Sequence, residues 1–113
     1  MDKSQSDIIL EWIKTKVEQK KADFDVNFWL EVAMKLTILL PDEIGKLYDL
    51  QKIVAQMRLD ELSKQEKRNV SEVKMLIEAS DAYRDMRIQE AKIKQIEEIV
   101  RIAKIQARVN SGQ

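Results

Sequence analysis

The sequence contains no cysteine and no histidine. That removes thiolate nucleophiles, disulfides, thiolate or imidazole metal ligands and the usual general base near neutral pH. Proline occurs once and glycine twice. A sheet protein needs turn residues every 8 to 12 positions or so, and too few are present. Aromatic residues are 5% of the chain. Neither charge sign dominates, with 20 Lys and Arg against 20 Asp and Glu. A net basic field is therefore excluded as a reason for binding, and any electrostatic recognition must come from local clustering. No apolar run approaches the length of a membrane span, and "MDKSQSDIILEWIKTK" lacks a long apolar signal core. The expectation is a soluble, cytoplasmic protein with no membrane partner.

What the chain has is charge, 35% of its 113 residues, spaced between aliphatic residues. This composition points to long helices in one all-α domain spanning 1–113. N-terminal helices occupy 1–40. Ser6 is the expected N-cap of the first, with Ile8, Ile9, Trp12, Ile13 and Val17 on one side. Asp25 or Asn27 is expected to cap a second helix, "FWLEVAMKLTILL". Pro41, followed by Asp42 and Glu43, suits the first turn of a third helix over 41–63. That helix carries Ile44, Leu47, Leu50, Val54 and Met57 at three-four spacing. A polar connector covers 64–70, and Asn69 with Glu72 has the spacing of a capping box. One long helix is then expected over 71–109.

That last helix shows a heptad seam: Met75, Ala79, Ala82, Met86, Gln89, Ile93, Ile96, Val100, Ala103 and Ala107. Ile88, Ile99, Ile102 and Ile105 lie off it and imply a second apolar contact. Self-association into a homo-oligomer is expected, through Met86, Ile93, Ile96, Ile99, Val100, Ile102 and Ala103. The rival arrangement fills these positions within a single chain.

Signatures of enzymes are absent: there is no GxGxxG, GxxxxGK[ST], HExxH or GxSxG. Most acids stand three or four positions from a base, as on a solvated helix face. The chain reads as non-enzymatic, with no cofactor and no metal. The aromatics Trp12, Phe24, Phe28, Trp29, Tyr48 and Tyr83 mostly adjoin aliphatic residues and read as core.

Basic residues carry more information. Arg87, Lys94, Arg101 and Arg108 recur at heptad spacing beside the seam, flanked by Arg84 and Lys104. Residues 101–113 hold three bases, Arg101, Lys104 and Arg108, and no acid. A second group, Lys52, Arg58, Lys64, Lys67 and Arg68, surrounds the connector. Such rows can follow a nucleic-acid backbone through salt-sensitive phosphate contacts. They can equally form ion pairs beside a seam or complement a helix dipole.

The layout resembles the UvsY-like recombination mediators of phages. The similarity rests on the run Lys52-Ile53-Val54-Ala55-Gln56-Met57-Arg58-Leu59-Asp60, on a polar break after it, and on the closing "IAKIQAR". It covers roughly residues 28–109. Gln56 stands where the family has a second base, and Glu61, Leu62 and Ser63 replace an aromatic pair and a glycine. The resemblance implies a ring-forming oligomer that binds single-stranded DNA. It also implies help in loading a recombinase past a single-strand-binding protein, with Arg58 as a DNA contact and Lys52 nearby. A reading without DNA remains beside it: a phage or bacterial helical adaptor, chaperone or scaffold acting only through protein contacts.

Overall fold

The computed structural model describes residues 4–18, 26–64 and 69–110. Phe24, Asp25, Lys67 and Arg68 lie outside those residues, as does the side chain of Val17. The fold is all-α, as the composition requires, with no strand among the described residues. Four helices follow in order: α1 (Gln5–Glu18), α2 (Val26–Ser63), α3 (Val70–Glu78) and α4 (Asp81–Asn110).

Two compact units divide the chain. One combines residues 1–41 with 94–113, and the other is 42–93. In the first, Val32, Ala33 and Leu36 of α2 form a core with Ile96 and Ala103 of α4. Ile9, Leu10, Trp12 and Ile13 of α1 close over it. Full burial of Leu36 and of Ile96 contributes about 1.5–3 kcal/mol each. Phe28 packs edge-on against Trp29 with centroids 5.0 Å apart, and Lys35 sits 5.0 Å above the Trp12 ring. In the second unit, Val54 of α2 meets Val73 and Ile77 of α3, with Met57, Ala82, Tyr83 and Met86 around them.

Local sequence accounts for the helix ends, in part differently from expectation. The hydroxyl of Ser4 accepts from the Asp7 N–H at 3.2 Å, so Ser4 caps α1, and Ser6 lies buried as the second residue of the helix. Asn27 is inside α2 rather than capping it. Asn69 does cap α3, its carbonyl oxygen accepting from the Glu72 N–H at 2.8 Å.

Two expected boundaries move. No helix restarts at Pro41, because α2 runs through it. An internal proline costs about 3 kcal/mol. The apolar face continues on both sides of it, through Leu36 and Leu40 before and Leu47, Leu50 and Val54 after. Burial of these side chains exceeds the cost of one missing hydrogen bond.

The long C-terminal helix expected over 71–109 is broken at Ala79 and Ser80. Ser80 accepts from the Tyr83 N–H at 3.1 Å and donates its hydroxyl to the Ile77 carbonyl at 2.6 Å, which ends one helix and caps the next. Helical geometry explains the need. Val73 and Ile77 each precede Ala82 and Met86 by nine residues, which on an unbroken helix would set them about 180° apart. All four pack on one cluster, so the helix must break. The seam accordingly fails at its start, where Met75 is 71% exposed and Ala79 is also exposed.

Candidate nucleic-acid interface

The described cations expected to contact nucleic acid fall into two sets, one in each unit, and each set has its own geometry. Lys52 and Arg58 lie on α2, and Lys64 just beyond its end. All three are exposed. Six helical residues separate Lys52 from Arg58, which turns them about 120° from each other. They therefore face different directions, and α2 does not gather them into one strand-binding surface. The Lys64 ammonium is 2.8 Å from Glu61 Oε1 and is neutralised locally. Among the described residues neither Lys52 nor Arg58 forms an ion pair.

The second set is more coherent. Lys94, Arg101, Lys104 and Arg108 all project from α4 within the unit containing residues 94–113, and all are exposed. At about 100° per residue they occupy one sector of about 80°. Heptad spacing repeats Lys94, Arg101 and Arg108 at about 10.5 Å along the axis. Glu97 shares the sector, and beyond Glu98 no acid follows. Arg101 is not a bare cation: its guanidinium holds Glu98 through two hydrogen bonds, the Nε to Oε2 contact being 3.0 Å. That hydrogen bonding pulls the Glu98 carboxyl below its ordinary range and raises the Arg101 guanidinium, with direct charge attraction adding to both. Arg87, the first base of the ladder, belongs to the other unit and pairs with Glu90 at 3.2 Å.

The expected oligomer seam is filled from within the chain. Ile96 and Ala103 are fully buried, and Ile93 nearly so. Ile99 and Val100 pack against the same core as Ile96, and Met86 packs on the cluster around Val54. Packing within the chain therefore covers most of this row, with Met86, Ile99 and Val100 partly exposed. Of the seven, only Ile102 is exposed, at 39%, with Ile105 and Val109 on the same face.

A different apolar stripe faces outward. In the unit of residues 42–93, Gly45, Tyr48, Lys52, Ala55, Leu59 and Leu62 alternate steps of three and four along α2, and every one is exposed. Tyr48, expected in the core, is 64% exposed. This stripe was legible as a second heptad in the same helix, displaced by about two residues from the row of half-buried Leu47, Leu50 and Met57 with buried Val54. The stronger aliphatic row masks it.

Among the described residues no group of acidic side chains could hold a metal ion. None of the helices among them is long and apolar enough to cross a membrane. Comparisons with protein-family models, with curated proteins and with solved structures give no match to this chain.

Proposed function

We propose that this chain is a non-enzymatic, self-associating helical protein that binds single-stranded DNA, in the manner of a recombination mediator that helps load a recombinase in the cytoplasm. The observation that carries the reading is the row of Lys94, Arg101, Lys104 and Arg108 on one exposed sector of α4. Phosphate contacts from such a row are independent of base sequence and weaken with salt. Four contacts per copy are few, so display on several copies supplies the avidity.

Self-association is assigned to the outward stripe of α2 rather than to the seam of α4. An antiparallel second copy sets Gly45 against Leu62, small against large, Tyr48 against Leu59, ring against branched aliphatic, and Lys52 against Ala55, where a long stem lies over a methyl group. A parallel copy would place Lys52 against its own counterpart, which like-charge repulsion disfavours. Open space surrounds Gly45, so a neighbouring helix can approach closely there.

A salt titration of binding to a labelled single strand tests the DNA reading. Affinity falls steeply with salt, and Lys104→Glu with Arg108→Glu weakens it, while Arg58→Ala has the smaller effect. Absence of binding at low salt, with the oligomer intact, removes the DNA role. The second reading would then stand: an adaptor, chaperone or scaffold working only through protein contacts, supported by the same α2 stripe.

A further inference from the structure

A cleft of about 310 Å³ opens between the end of α2 and the start of α3, lined by Arg58, Leu62, Val70, Val73 and Lys74. Neither basic set explains it. Its floor is Val73, a buried member of the second core, and its apolar rim is Leu62 and Val70, both exposed. Two cations complete it. Arg58 forms no ion pair among the described residues, and Lys74 has only a long contact to Glu78, at 4.0 Å. Among the described residues none that lines it is acidic.

We propose that this cleft docks an acidic protein segment that inserts a large aliphatic or aromatic side chain over Val73. Charge complementarity sets the sign. A carboxylate beside the inserted side chain meets Arg58 and Lys74, and the apolar side chain removes Leu62 and Val70 from water. The volume lies at the small end for a ligand site, which suits one or two side chains rather than a long acyl chain. A nucleic-acid strand fits poorly, because bases stack on rings and no aromatic residue among the described ones lines the cleft. The proposal is separate from the DNA reading, since Val70 and Lys74 belong to neither basic set nor to the outward stripe of α2.

Fluorescence anisotropy of the full chain tests it with a short fluorescein-labelled peptide of aspartates and glutamates carrying two adjacent leucines. Saturable binding is expected, weakened about fivefold or more by Lys74→Glu and, separately, by Val70→Asn. Replacing the peptide leucines by alanine lowers affinity by a similar factor. Both protein variants keep the parent's affinity for a single-stranded oligonucleotide. Circular dichroism checks their helicity; should either unfold, the leucine dependence of the peptide decides alone. The proposal is overturned if the peptide does not saturate, if the leucine-free peptide binds equally, or if folded variants bind the peptide like the parent. Displacement of the peptide by the oligonucleotide, with both variants losing DNA affinity, would also overturn it and make the cleft a nucleic-acid site.

Discussion

The side-chain amide of Gln89 donates to both the backbone carbonyl and the carboxylate of Glu43, at 2.8 and 2.7 Å, joining α4 to α2. Glu43 is only 2% exposed. Lys46 and Lys92 approach its two oxygens at 3.3 and 3.4 Å. Gln89 holds a seam position otherwise given to apolar residues. A buried polar contact at such a position fixes register, because a slipped helix would leave the Glu43 carboxylate without its donor.

Removing that donor alone is therefore costly. Gln89→Leu should lower stability by about 2–4 kcal/mol in urea unfolding, since Glu43 stays buried while its carboxylate and its backbone carbonyl each lose a donor. The double change Glu43→Leu with Gln89→Leu should recover most of the loss, because two apolar groups desolvate nothing polar. A double variant as unstable as the sum of the singles would show that the two side chains are not coupled.

Those two residues also mark what the sequence can reveal. The four-three spacing identified Gln89, Ile93, Ile96 and Ala103 as one inward row, and the inward residues of 44–57, because periodicity reports burial directly. It cannot tell which helix does the covering, so a seam filled by α1 and α2 read as an interface between copies. Pro41 misled because a strong local penalty was outweighed by apolar burial on both sides of it. Ser80 was missed for the opposite reason. Its neighbour Asp81 in a first turn gave a start signal, but without glycine or proline the break looked like continuous helix. The basic row on α4 was visible in full, and so was the angular divergence of Lys52 and Arg58, since the expected helix over 41–63 already held both.

Filling the seam from within has a measurable consequence. Ile96→Ala should cost about 3 kcal/mol, the usual loss for truncating a fully buried aliphatic side chain. The loss should be the same at all protein concentrations, since Ile96 is fully covered by its own chain. Ile102→Ser, on the exposed face of α4, should change stability by less than about 0.5 kcal/mol. Unfolding midpoints measured over a wide concentration range check both. A concentration-dependent penalty for Ile96→Ala would return this residue to an interface.

The pair of Glu98 and Arg101 sets a pH dependence whose sign follows from its hydrogen bonds. Glu98 titrates below its ordinary value in the folded chain, chiefly because Arg101 hydrogen-bonds its charged form. Its contribution is fully present above the unfolded carboxyl pKa and is lost as pH falls through the lowered folded one. Both side chains are exposed, so the effect on stability is small. The titration itself is the clearer readout. In Arg101→Ala, the Glu98 carboxyl followed by NMR should move up towards the ordinary glutamate value. An unchanged midpoint would mean that Arg101 does not hold Glu98 in solution.

The break between α3 and α4 rests on one hydroxyl. Ser80→Ala removes both the acceptor for the Tyr83 N–H and the donor to the Ile77 carbonyl. Alanine also favours joining the two helices, but a joined helix would turn Val73 and Ile77 away from the cluster that Ala82 and Met86 share. The break must persist without its cap, so the variant should lose about 1 kcal/mol, or roughly 4 °C in Tm. Amide exchange at Tyr83 should quicken as its acceptor disappears. Ser80→Asp, which keeps an acceptor at the start of α4 and suits its positive end, should restore most of the stability. If Ser80→Ala were instead stabilising, with the Tyr83 amide equally protected, one continuous helix over 71–109 would be compatible with the core, and the geometric reason given for the break would be wrong.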